Sequence, residues 1–181
     1  MTHKKQANFG AGGGLNEKIF HGKRNSDFVL ISENDVEFPC HKGFLNVHSS
    51  FFERMFETDC KETQSGKAKL NLSEEGLKAF LDFVYCFKSD FPKEHPRIAV
   101  ELLEFAHEKQ ISGLEEAMKE LIVGQPHDWM DLIDGVQLFL LSVKLDFEQG
   151  YDDVKKAAVK AIKAKRDQLK DSGSLQGAFD V

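Results

Sequence analysis

Apolar and polar positions alternate along this chain with two different periods, and the changes of period divide it into elements. Asp27-Phe28-Val29-Leu30-Ile31 sets four apolar residues together between polar flanks, the pattern of a buried strand. Glu33-Asn34-Asp35 supplies turn chemistry, and Val36-Glu37-Phe38 alternates as a half-exposed strand that Pro39 ends. A β-hairpin is expected here. Two short helices follow. Lys42 to Val47 presents Phe44, Leu45 and Val47; Ser50 and Glu53 form a capping box for the second, whose Phe52, Met55 and Phe56 share a face. Residues 57–67 read as a polar loop, and Ala68-Lys69-Leu70-Asn71-Leu72 as a third strand.

From Ser73 the period lengthens to that of helices. Ser73 is a cap with Glu74 and Glu75 in the first turn, where the helix dipole favours acid. Leu77, Phe80, Leu81 and Val84 then form the buried stripe. Residues 89–96, with two prolines, are expected to be irregular. Ile98, Leu102, Phe105 and Ala106 mark another helix. Ser112 and Glu115 form a second capping box, with Leu114, Met118, Leu121 and Ile122 turned inward behind it. Gly124-Gln125-Pro126 is a boundary. Beyond it, Trp129, Leu132, Ile133, Val136, Leu140 and Val143 define one helical pattern. An Ala- and Lys-rich stretch from Asp153 to about Leu169, with Val154, Ala158 and Ile162 on one face, defines the second arm of a helical hairpin.

This order divides the 181 residues into a flexible, glycine-rich tail (1–18), a compact α+β unit (19–123), a helical extension (127–169) and a disordered tail (170–181). Leu15 and Ile19, four apart, suggest a short helix at the first boundary. The glycine run at 10–14 lacks a dinucleotide fingerprint's spacing and follows no strand.

Composition narrows the function. At 41% hydrophobic and 30% charged the chain is expected to fold, and no apolar run is long enough to span a bilayer. The first residues lack the apolar core of a signal peptide. A net charge of −6 does not favour nucleic acid. Three scattered cysteines make no disulfide framework, so a reducing compartment, cytoplasm or nucleus, is expected.

Catalytic arrangements are missing. Cys40 and His41 are neighbours near a strand end and point to opposite faces, so they cannot act as nucleophile and base. His107-Glu108-Lys109-Gln110-Ile111 is half of a zinc-binding motif whose second histidine is an isoleucine. There is no nucleophile elbow or phosphate-binding loop. No enzymatic activity, metal or cofactor is expected.

The residues from Asp27 to Phe56 form a recognisable combination: an Asp-initiated strand, Phe38-Pro39-Cys40-His41-Lys42, then Ser49, Phe52, Met55 and Phe56 at fixed offsets. This resembles the BTB/POZ domain. The Phe-rich stretch Leu77 to Tyr85 and Leu102-Leu103-Glu104-Phe105-Ala106 match the family's later helices, over roughly residues 19–123. Cys86-Phe87-Lys88-Ser89 departs from the family's Thr-Gly after the tyrosine. The hairpin from Asp128 onward is similar to a three-box, or the first part of a BACK domain, in helical pattern only. No Kelch repeat, MATH domain or zinc finger stands in this sequence.

The resemblance implies a protein-interaction module, above all a substrate adaptor that binds cullin-3 in a ubiquitin ligase. Such adaptors use a hydrophobic-x-Glu motif after the Met-Phe helix, and Cys60-Lys61-Glu62 falls at that place. The implied cullin-binding residues are Phe56, Asp59, Cys60, Lys61 and Glu62, helped by the helices after Pro126. Cys60 is a weak version of the apolar anchor, since it buries little area. Leu15, Ile19 and Phe44 fall where BTB domains pack against a twin, implying a homodimer. The substrate is unidentified; the tails, the hairpin or a partner chain would hold it. The alternative is an oligomerisation or scaffold module without ligase function. Asp27 either caps local N–H groups or lines a dimer groove, while His41 and Lys42 read as structural. The basic positions Lys155, Lys156, Lys160, Lys163, Lys165, Arg166 and Lys170 are a solvated face or meet an acidic partner. Phe179-Asp180-Val181 is a three-residue match to a PDZ-domain ligand.

Overall fold

The computed structural model describes Lys18 and residues 25–88, 90–145 and 150–171. The expectations for Leu15, Ile19 and the two tails fall outside the described residues, apart from Lys18 and the residues up to Asp171.

A three-stranded sheet forms one layer. Strand β1 (Phe28–Ile31) lies at its centre, antiparallel to β2 (Glu37–Cys40) and parallel to β3 (Lys67–Lys69). Successive side chains on a strand face opposite ways, so Phe28 and Leu30 are buried together with Cys40 and Ala68. On the other face Lys67 reaches Glu37 at 2.6 Å and Lys69 reaches Asp35 at 2.6 Å. Pro39 lies inside β2 rather than ending it; β2 is an edge strand, where a missing N–H costs no ladder bond. The third strand is shorter than expected, yet Leu70 N–H still donates to Ile31 at 2.8 Å beyond its end.

Between β2 and β3 come α1 (Lys42–His48), α2 (Ser50–Glu57) and α3 (Lys61–Ser65). The cap of α2 is Ser49, not Ser50: Ser49 has extended backbone, and its Oγ accepts from Phe52 N–H at 3.2 Å. The stretch read as a polar loop contains α3, which Gly66 closes at φ 67, a conformation glycine adopts without a Cβ clash.

The second layer is helical: α4 (Glu74–Cys86), α5 (Asp90–Glu94), α6 (Pro96–Glu108) and α7 (Ser112–Val123). Leu77, Phe80, Leu81 and Val84 are all buried on α4, and Ser73 Oγ accepts from Gly76 N–H at 3.0 Å, both as expected. Glu101 of α6 completes that cap by accepting from Ser73 Oγ at 2.7 Å and from Ser73 N–H. A Cβ on Gly76 would lie 2.7 Å from Glu101 Oε2, so glycine makes room for the carboxylate. Helix α5 corrects the irregular reading of 89–96. Pro92 is its third residue, where an N–H has no intrahelical acceptor to lose. The proposed box at Ser112 and Glu115 does not form. Ile111 is the cap position, without a side-chain bond, and Glu115 instead accepts from Tyr151 Oη at 2.9 Å.

Helices α8 (Leu132–Lys144) and α9 (Tyr151–Asp171) form an antiparallel hairpin packed on α6 and α7. Here the structure departs most from the apolar pattern. The inward face of α8 is Asp134, Gly135, Leu138, Leu141 and Ser142, because small residues let α9 approach; a Cβ on Gly135 would lie 3.3 Å from Ile162. Leu132, Ile133, Val136, Leu140 and Val143 face outward, with Ile133 68% and Leu140 61% exposed. No described helix is long and apolar enough to cross a membrane.

Candidate functional site

The hydrophobic-x-Glu segment begins at the end of α2 and is built by local hydrogen bonds. Cys60 N–H donates to Thr58 O at 2.9 Å, and Thr63 Oγ1 donates to Met55 O at 2.9 Å, which folds α3 back onto α2. Cys60, half-buried, has its Sγ 3.2 Å from Thr63 Oγ1 and 3.7 Å from Met55 O. Lys61 and Asp59 are exposed, and Asp59 Oδ1 accepts from Gln64 Nε2 at 2.9 Å. Phe56 is half-buried, its ring 4.9 Å edge-on from Phe28 and 6.1 Å from Phe52. It therefore packs on the core with Phe28 and Phe52 and does not line the groove beside Cys60, while Lys61 stands exposed and Cys60 and Glu62 are half-buried.

Cys60 and Glu62 line a groove of about 480 Å³ with Phe51, Arg54, Met55 and Lys109. Its far wall is fixed by the turn between α6 and α7. Ser49 Oγ donates to Lys109 O at 2.6 Å, and Gln110 Oε1 accepts from Ser50 Oγ at 2.8 Å and Arg54 Nη2 at 2.7 Å. Lys109 Nζ lies 4.5 Å above the Phe51 ring. These partners lie 56 to 60 residues away in the chain. Gln110, at φ 53, could not be singled out from spacing.

A second groove, of about 490 Å³, separates α6 from α8 and holds Asn71, Glu101, Glu104, Glu108, Leu140 and Lys144 among its lining. Neighbouring residues of the chain line the two grooves, Leu70 the first and Asn71 the second, Lys109 the first and Glu108 the second. Lys144 Nζ pairs with Glu104 Oε1 at 3.2 Å across the second. Leu140, which lines the second groove, also belongs to the exposed apolar stripe of α8.

The Phe44 region lies elsewhere. Phe44 is half-buried, its ring 4.3 Å from that of Tyr85. The outward apolar residue of α1 is Val47, 83% exposed, and Phe87 after α4 is 68% exposed. His48 lies with its ring 5.2 Å from Phe87, and burial holds its imidazole below the usual histidine range. Phe87 has φ 53, an uncommon conformation for an aromatic residue, which closes α4 and holds the ring out. Its place where the family pattern carries Thr-Gly was the only sequence signal.

Around the start of α1 the network is structural. Asp27 Oδ1 accepts from Lys42 N–H at 2.8 Å, the capping role. Tyr85 Oη accepts from His41 N–H at 2.9 Å and lies within hydrogen-bonding distance, 2.7 Å, of His41 Nδ1. Burial pushes the Tyr85 hydroxyl up to about 12, and the Cys40 thiol likewise to about 12. A thiol so raised is no nucleophile at neutral pH. Among the described residues no group of histidine, cysteine and acidic side chains could hold a metal ion.

Comparison with known proteins agrees with this architecture. The BTB/POZ domain profile matches residues 16–125. The chain is 31% identical over 117 residues to human Kelch repeat and BTB domain-containing protein 3, covering 64% of this chain and 18% of that protein. It is 31% identical over 112 residues to human Kelch-like protein 24, covering 60% of this chain and 18% of that one. The chain thus spans about a fifth of the length of these curated relatives. The BTB domain of zebrafish PATZ1 shares the fold, with a TM-score of 0.50 at 24% identity over 61% of this chain and 86% of that one. With its sheet, its helical layer and a family match over more than half its length, this chain belongs to the BTB/POZ domain family.

Proposed function

We propose that this chain is a protein-interaction module that binds cullin-3 as a substrate adaptor of a ubiquitin ligase and associates with a second copy of itself. The observation that carries the cullin reading is the groove beside Cys60 and Glu62, taken with a second groove that reaches Leu140. It pairs a half-buried acid with two grooves and an uncovered apolar helix, the mixture of apolar centre and polar rim on which protein interfaces are built. Glu62 fixes the segment or meets a base on the cullin, and Leu140 with Val136 supplies the apolar area that Cys60 lacks. The α8–α9 hairpin acts as a BACK-like extension of the domain. Self-association through Phe44, Val47 and Phe87 presents two such faces, which raises effective concentration on a substrate held elsewhere. Three free cysteines fit a reducing compartment, cytoplasm or nucleus.

Sedimentation of this chain with the cullin-3 N-terminal region tests both parts. A complex of two chains and two cullin fragments supports the reading, and two separate boundaries contradict it. One observation favours a scaffold without ligase function: Cys60 Sγ is turned toward Thr63 and Met55 rather than outward. Self-association without any cullin complex would establish that reading instead.

A further inference from the structure

One stretch of this acidic chain is free of acid and rich in lysine. Residues 154–166 carry five lysines and one arginine and no acid, in a chain of net charge −6. Lys156, Lys160 and Lys163 are exposed and follow one another at four and three residues, so they rise along one line of α9. Where α9 passes the end of α7 and the Pro126 turn, that line borders a hollow of about 110 Å³. Ile122, Met130, Ala157 and Ala161 are among the residues that line it, with Lys156 and Lys160 at its edge. A carboxylate already sits there: Asp153 Oδ1 accepts from Lys156 Nζ at 2.8 Å, with both side chains well exposed. That bond lowers the Asp153 carboxyl and raises the Lys156 ammonium from their ordinary values.

We propose that this corner of α7 and α9 docks an acidic segment of a partner protein. One aliphatic side chain enters the hollow, and carboxylates on either side of it reach Lys156 and Lys160. A solvated lysine face needs no apolar recess beside it, and a polyanion such as nucleic acid has no aliphatic side chain to fill one. Exposed ion pairs contribute little alone, so the aliphatic anchor supplies most of the affinity and the lysines supply selectivity for acid. The site shares no residue with the cullin face, and its test is separate.

Fluorescence anisotropy of a labelled Glu-Glu-Leu-Glu-Glu peptide titrated with the full chain is the experiment. The expected result is binding that Lys156→Glu or Lys160→Glu weakens by about tenfold, and that a Glu-Glu-Ser-Glu-Glu peptide also weakens by about tenfold. Asp153→Asn tightens it, because the internal carboxylate no longer competes. Far-UV circular dichroism confirms that each variant is folded. Equal affinity for the leucine and serine peptides would overturn the proposal. So would tighter binding of duplex DNA or phosphatidylserine vesicles with the same lysine dependence, or no binding at about millimolar peptide.

Discussion

Ser49 Oγ donates to the carbonyl of Lys109 at 2.6 Å while accepting from Phe52 N–H at 3.2 Å. One buried hydroxyl therefore caps the helix that precedes the Cys60 segment and ties it to the opposite wall of the groove. Ser49→Ala removes both bonds and leaves the Lys109 carbonyl without this donor. The expected cost is about 1–3 kcal/mol, the sum of a lost cap and a lost buried hydrogen bond. Urea unfolding reads it as a lower midpoint with an unchanged slope. A loss under about 0.3 kcal/mol would mean that water replaces the hydroxyl in both roles.

The contrast between Leu45 and Val47 separates core from surface within one turn. Leu45 is fully buried and Val47 is 83% exposed. Leu45→Ala is expected to destabilise the fold by about 2–5 kcal/mol. Val47→Asp leaves stability within about 0.5 kcal/mol and abolishes self-association in light scattering. A Val47→Asp chain that stays dimeric would place the twin on another surface.

Cys40 and Tyr85 respond to alkali in one direction. Both groups have folded values raised to about 12, above their ordinary 9.0 and 10.0, so folding favours their protonated forms. Their contribution is complete below pH 9 and is lost as pH rises from there through about 12. Stability is expected to fall across that window, and less so in Tyr85→Phe. At neutral pH a thiol reagent modifies Cys60 while Cys40 stays protected until urea unfolds the chain, which peptide mass mapping checks.

Much of the fold is legible in local pattern. Ser73 caps through Gly76 three residues away, and the Leu77–Phe80–Leu81–Val84 stripe follows helical spacing, so both can be read directly. Ser49, Glu101, Gln110 and Tyr151 work through partners 28 to 60 residues distant, for which spacing holds no signal. On α8 the apolar pattern found a helix but not its inner face. Leu132, Ile133, Val136, Leu140 and Val143 form the more apolar side, yet Gly135 and Ser142 turn inward because close approach of α9 needs small residues. Periodicity finds a stripe and does not say what covers it. That uncovered stripe is the part of the candidate face that sequence left undefined, while the Cys60–Glu62 segment was legible through the family pattern.

The proposed cullin-binding surface joins Cys60–Glu62 with the α8 stripe. Calorimetric titration of the cullin-3 N-terminal region into this chain tests it, with wild type beside Glu62→Ala, Cys60→Asp and Leu140→Asp. The expected result is wild-type binding that each change weakens by more than about tenfold, or about 1.4 kcal/mol. No heat of binding from the intact chain, or equal affinity in all four, would contradict it.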